Sequence, residues 1–214
     1  MKLQNIDFSL YLVTDRGLAR GRTTLEIVKT AVCGGTTIVQ LREKDCSTRN
    51  FIEQALTVKK FLKARGVPLL INDRVDVAQA IAADGVHLGQ TDMPLEIAKK
   101  ILGDSMIIGI SAESLEDAIE AERGGADYLG ISPIYATPTK TDTASPLGLK
   151  GLREIRNAVK LPLVGIGGLN KDNAAEVIRH GADGVAVVSA IVAADDPAAA
   201  AKELKQVIKE AGQT

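Results

Sequence analysis

Eight short runs rich in branched apolar residues recur along this chain, separated by segments of helical pattern, and few folds accept that order. The runs are LYLVTD (10–15), TIVQLR (37–42), PLLIND (68–73), GVHLG (85–89), MIIGIS (106–111), DYLGIS (127–132), PLVGIGG (162–168) and GVAVVS (184–189). Each is close to the usual strand length of about five or six residues. Between them TLEIVKTAVCGG (24–35), STRNFIEQALTVKKFLKARG (47–66), SLEDAIEAERGG (114–125) and KDNAAEVIRHGA (171–182) space apolar residues three or four apart and stop at glycine, as helices do. A last helix, PAAAAKELKQVIKEAG (197–212), starts behind Asp195 and Asp196 with Pro197 at its first position, a favourable charge and a favourable backbone for a helix start. Crossover helices return the chain to the same end of the sheet, so the strands must pair in parallel. Eight regular units predict closure into an α/β, single-domain (β/α)8 TIM barrel; the open doubly wound sheet is the alternative.

A length of 214 residues leaves little room for a second domain beside such a barrel, and no linker or low-complexity stretch divides residues 1–214. The formal net charge of −1 gives no global basic field, which speaks against a nucleic-acid or acidic-membrane partner. MKLQNIDFSLYLVTD lacks the pattern of a secretory leader, and no apolar run nears the roughly 18 residues that span a bilayer, so a cytoplasmic protein is expected. Cys33 and Cys46 form no C-x-x-C pair and are read as buried or incidental small residues. His87 and His180 lack metal-ligand spacing and are read as structural or exposed.

In a closed parallel barrel the functional face lies at the C-terminal ends of the strands. Those ends are polar here. The second run supplies Gln40, Arg42 and Lys44, which share one face because strand side chains alternate. The third ends in Asn72 and Asp73, the fourth leads to Gln90 and Asp92, and the fifth ends at Ser111. The sixth opens into SPIYATPTK (132–140), with Thr137, Thr139 and Lys140 in one loop. Gly167 and Gly168 close the seventh, Val188 and Ser189 the eighth.

Taken singly, these residues have ordinary explanations. Asn72, Asp92 and Ser111 suit turns. Lys44 suits solvent, Arg42 an ion pair with Glu43 or Asp73, and both Asp73 and Asp92 the caps of the helices that follow. Convergence at one mouth favours an anion site, because sheltered charges need partners. Gly168, Val188 and Ser189 suit a phosphate cup made from backbone N–H groups, although a glycine there can also serve only a tight turn. Asp73 and Asp92 offer hard oxygen in the number that Mg²⁺ takes. GIGGLN (165–170) is not read as a dinucleotide fingerprint, since Asn170 stands where its last glycine would be. Two anion sites at one mouth predict two small phosphorylated ligands.

The pieces YLVTD, VQLREK, IND, GVHLGQTD, GIS, ATPTK, GIGGLN and VVSAI, in that order over nearly the whole chain, resemble the thiamine phosphate synthase family. The resemblance implies Mg²⁺-dependent joining of a hydroxymethylpyrimidine diphosphate to a thiazole phosphate, with one ion per subunit and release of pyrophosphate. It assigns Gln40, Leu41, Arg42, Glu43, Lys44, Asn72, Ser111 and Lys140 to the pyrimidine diphosphate. It assigns Thr137, Pro138, Thr139, Gly168, Val188 and Ser189 to the thiazole phosphate, and Asp73 and Asp92 to the metal. Arg42, Lys44, Lys140 and Ser111 would be the catalytic groups, in a dissociative substitution that needs no protein nucleophile. Three rivals share some of these features: a thiazole tautomerase of the same fold, a phosphosugar isomerase or epimerase, and a binding module without turnover. The basic residues of LREK, both aspartates and the whole TPTK motif speak against the tautomerase, which needs no diphosphate site. The outer helices carry no interface signature that would set an oligomeric state.

Overall fold

The computed structural model describes residues 6–137 and 145–213. Every one of the eight runs forms a strand: β1 (Leu10–Val13), β2 (Ile38–Leu41), β3 (Leu69–Asn72), β4 (Gly85–Leu88), β5 (Ile107–Ala112), β6 (Tyr128–Ile131), β7 (Leu163–Ile166) and β8 (Gly184–Val187). Neighbours in sequence are neighbours in the sheet, all pairs are parallel, and β8 pairs with β1 to close the ring. Closure decides against the open doubly wound sheet.

The helices are α1 (Thr24–Cys33), α2 (Thr48–Lys63), α3 (Val75–Ala80), α4 (Leu95–Leu102), α5 (Leu115–Gly124), α6 (Gly148–Ala158), α7 (Ala174–Arg179), α8 (Ser189–Val192) and α9 (Pro197–Ala211). Their starts follow local chemistry. Thr23 and Glu26 form a reciprocal capping box on α1, while the Ser47 and Ser114 side chains accept from the third backbone N–H of α2 and α5. The Asp196 carboxylate accepts from the N–H groups of both Ala198 and Ala199, with Pro197 opening α9. The short helix α8, directly after β8, is too brief to leave a periodic trace in the sequence.

Strand alternation sorts the core into two bodies. Leu10, Leu12, Val39, Leu41, Leu69 and Ile71 face outward into the layer beneath the helices. Tyr11, Val13, Ile38, Leu70, Tyr128 and Val164 fill the barrel interior. Both faces of the sheet are therefore buried, which is why the strands read as nearly continuous apolar runs. Removing a Leu, Ile or Phe side chain of this kind from water is worth about 1.5–3 kcal/mol. The same alternation puts the polar members of the strands, Gln40 and Asn72 among them, on the inward face at the C-terminal ends. Cys33 is exposed at the end of α1 and Cys46 is partly covered; the two are unbridged.

Candidate active site

A cavity of about 380 Å³ opens at the C-terminal end of the barrel. Gln40, Arg42, Lys44, Asn72, Asp73, Asp92, Ser111, Thr137, Gly168, Val188 and Ser189, all expected at a ligand site, line it together. Strand alternation accounts for Gln40, the segment leaving β2 carries Arg42 and Lys44 to the same mouth, and the shared level of the strand ends accounts for the rest. Leu41 and Glu43 have the opposite parity. Leu41 is fully buried in the outer layer, and Glu43 also lies off the cavity, so the structure does not bring these two to the site. Pro138, Thr139 and Lys140 lie outside the described residues.

One rim of the cavity is charged. Arg42 Nη1 donates to Asp15 Oδ2 at 2.8 Å, so the ion pair that stood as the alternative to an anion-binding role is made with the loop after β1 and not with Glu43 or Asp73. Lys44 Nζ donates to Asp73 Oδ2 at 2.6 Å. Asp73 in turn faces Asp92: burial first, then the hydrogen bond with Asp73, pushes the Asp92 carboxyl above its ordinary value. The N–H of Gly89 donates to Asp92 Oδ2 at 2.7 Å and works against that rise.

Neither aspartate caps a helix. Arg74 and Pro94 occupy the cap positions of α3 and α4, and neither start has a side-chain cap. Asp73 instead holds a left-handed backbone at φ 61°, an uncommon conformation that Asp tolerates better than bulkier residues. Two facing carboxylates, one with its pKa raised by burial and by the other, form a place where a divalent cation relieves repulsion. Among the described residues no cluster of three or more His, Cys, Asp or Glu could hold a metal ion. Two carboxylates are the donor set that suits Mg²⁺, which keeps water and phosphate oxygens in the rest of its shell.

The opposite rim is neutral and close-set. Gly168 has φ 65°, and a Cβ there would stand 2.8 Å from the carbonyl oxygen of Ala136 and 2.9 Å from Tyr135 Cβ. Only glycine lets the β7 turn lie against the β6 loop in this way. Val188 and Ser189 stand beside it at the start of α8.

The floor holds residues that the sequence reading did not assign. Tyr11 and Tyr128 line it, as does His87, which was read as structural or exposed. His87 is tied to Tyr128 Oη through Nδ1 at 2.7 Å and to Ser111 Oγ through Nε2 at 2.9 Å. Strand parity was the available signal: in GVHLG the histidine falls on the inward face, beside Asn72 in register. Gln90 also reaches the site and donates to the Ser111 carbonyl.

A closed (β/α)8 barrel with charged groups and small residues around one mouth defines an enzyme with a small-substrate site. The profile of the thiamine monophosphate synthase family matches residues 10–191. The thiamine-phosphate synthase of Chloroflexus aurantiacus is 54% identical over 203 residues, covering 95% of this chain and 94% of that protein. That of Clostridium novyi is 51% identical over 95% of this chain and 100% of its own length. The solved thiamine phosphate pyrophosphorylase from Pyrococcus furiosus superposes with a TM-score of 0.90 at 44% identity, covering 96% of this chain and 98% of that one. This chain belongs to the thiamine monophosphate synthase family, a family of transferases.

Proposed function

We propose that the chain joins 4-amino-2-methyl-5-hydroxymethylpyrimidine diphosphate to 4-methyl-5-(2-phosphoethyl)thiazole, or to its carboxylated tautomer, giving thiamine phosphate and pyrophosphate. The observation that carries the reading is the division of one cavity between a rim of Arg42, Lys44, Asp73 and Asp92 and a neutral rim of Gly168, Val188 and Ser189. Residues 1–214 act as one catalytic domain, and the compartment is the cytoplasm. In this reading the chain meets two small phosphorylated substrates, no nucleic acid and no membrane; no helix among the described residues is long and apolar enough to cross one.

Gln40, Asn72 and Ser111 hold the pyrimidine ring over the barrel axis. Arg42, Lys44 and Lys140 hold the diphosphate, and Thr137 and Thr139 with Gly168 and the Val188–Ser189 backbone hold the thiazole phosphate. Asp73 and Asp92 would carry one Mg²⁺, which supplies charge neutralisation of the diphosphate oxygens. The bond between the methylene carbon and the diphosphate oxygen breaks with both electrons leaving on pyrophosphate. The amino-substituted ring stabilises the resulting cation, and the thiazole nitrogen lone pair closes the new C–N bond. The cationic side chains, aimed at the leaving group, lower the barrier by stabilising charge that develops there. The apolar wall, including Val164 and Ile166, keeps water from the cation.

The test is to incubate the protein with Mg²⁺ and both substrates, following thiamine phosphate and pyrophosphate together and omitting each substrate in turn. Equal formation of both products, abolished by chelator and lowered at least about 100-fold by Asp92→Ala, is expected. Binding of the thiazole phosphate with neither product formed would overturn the reading.

A further inference from the structure

Below the cavity runs an unbroken chain of side-chain hydrogen bonds that the reaction scheme above does not use. Gln40 Nε2 donates to Tyr11 Oη at 2.9 Å, Tyr11 Oη lies 2.9 Å from Tyr128 Oη, and Tyr128 Oη lies 2.7 Å from His87 Nδ1. His87 Nε2 then meets Ser111 Oγ at 2.9 Å. Both ends, Gln40 and Ser111, face the cavity.

The barrel is built around this chain. A Cβ on Gly109 would stand 2.2 Å from the Tyr128 ring, and one on Gly130 would stand 2.9 Å from His87 Cε1. His87, Gly109 and Tyr128 lie in one lateral row across β4, β5 and β6. The two positions without side chains are the slots the rings occupy.

Counting hydrogens fixes a direction. Each tyrosine has one hydrogen to give, and the Gln40 amide nitrogen already supplies one to Tyr11. Tyr11 therefore donates to Tyr128, and Tyr128 donates to His87 Nδ1. That leaves the imidazole proton on Nε2, where it is given to Ser111 Oγ. The hydroxyl hydrogen of Ser111 is then turned to the cavity as a donor, while Gln40 Oε1 remains as an acceptor. Burial pushes the Tyr11 phenol up to about 12 and raises that of Tyr128 well above its ordinary value, so both keep their hydrogens at neutral pH.

We propose that Tyr11, Tyr128 and His87 are positioning residues that set this polarity, presenting one acceptor and one donor to an aminopyrimidine edge. Such an edge carries an amino donor beside a ring-nitrogen acceptor, the complement of Gln40 Oε1 and the Ser111 hydroxyl. The inference rests on the assignment of Gln40 and Ser111 to the pyrimidine. Reversing the chain by turning the Gln40 amide would move the imidazole proton to Nδ1 and present the wrong sign at both ends. A site with unmatched polar groups rejects its ligand more strongly than one that merely lacks a contact.

The protein contains two histidines, so ¹⁵N-detected imidazole NMR reads His87 directly, with His180 as an internal reference. The wild type is expected to show His87 as the Nε2–H tautomer; the Nδ1–H tautomer would overturn the proposal. Tyr128→Phe keeps the ring and removes the hydrogen, and Tyr11→Phe does the same one step back should the first variant fail to fold. Tyr128→Phe is expected to mix the tautomers, and either variant to raise KM for the pyrimidine diphosphate about tenfold, one hydrogen bond's worth, with KM for the thiazole phosphate unchanged. A single Nε2–H tautomer in folded Tyr128→Phe, or an unchanged pyrimidine KM in either variant, would overturn it too. Absence of any coupled product from the wild type sinks the proposed reaction instead, and leaves the tautomer result standing.

Discussion

Residues one position apart on β2 have opposite fates, and the difference is steric parity. Gln40 and Arg42 turn into the cavity, whereas Leu41 and Glu43 turn away from it. The family motif LREK reads as one functional block in sequence; in the barrel only alternate members can meet a ligand through their side chains. Glu43 illustrates the cost of the other face. Its Oε1 is buried with no hydrogen-bond partner among the described residues, and burial raises its pKa while a hydrogen bond from Gln54 opposes the rise. A carboxyl with a raised native pKa binds its proton more readily folded than unfolded. Its contribution to stability is thus full below the ordinary value and is lost as pH rises through the native value, so at pH 7 the charged form carries the whole penalty. Glu43→Gln should flatten that pH dependence and raise Tm at pH 7 by about 1–3 °C, a small gain because water screens a partly exposed group. Thermal melts of the two proteins from pH 4 to 8 would check both the sign and the window.

Elements were readable where local chemistry and pattern agree. Every strand run found its strand, and the Asp196–Pro197 start of α9 was visible because a cap depends on neighbours in sequence. That cap also has a tertiary consequence, since α9 packs against both α1 and α7 across the point where the barrel closes. Asp196→Ala leaves two backbone N–H groups without their acceptor and should cost about 1 kcal/mol, lowering Tm by about 2–4 °C with turnover at low temperature preserved. The alternative role of Asp73 and Asp92, as helix caps, is excluded for an equally local reason. The helices begin two or more residues further on, behind Arg74 and Pro94, which frees both carboxylates to turn to the cavity. The helix α8 was invisible because one turn leaves too little periodicity to detect.

For the molecule as a whole, 26 Lys and Arg nearly balance 27 Asp and Glu, so attraction for an anionic substrate must come from the mouth alone. Raising ionic strength from 50 to 500 mM should therefore lower kcat/KM for the pyrimidine diphosphate several-fold while Tm changes little, because screening acts on the partly exposed Lys44 more than on the buried core. A kcat/KM independent of salt would place the controlling charges deeper than the rim. The order of eight strands and their helices, the parallel pairing and the set of polar strand ends were determined by the sequence itself, since each follows from periodicity or from residues adjacent in the chain. Only the tertiary structure decided that Arg42 pairs with Asp15, and that Tyr11, Tyr128 and His87 join in one hydrogen-bonded chain beneath the cavity. Those partners lie 27 to 117 residues apart, so nothing in local pattern encodes them. They meet because closing the ring brings the inward faces of all its strands into one small volume, where every polar group must find a partner or a ligand.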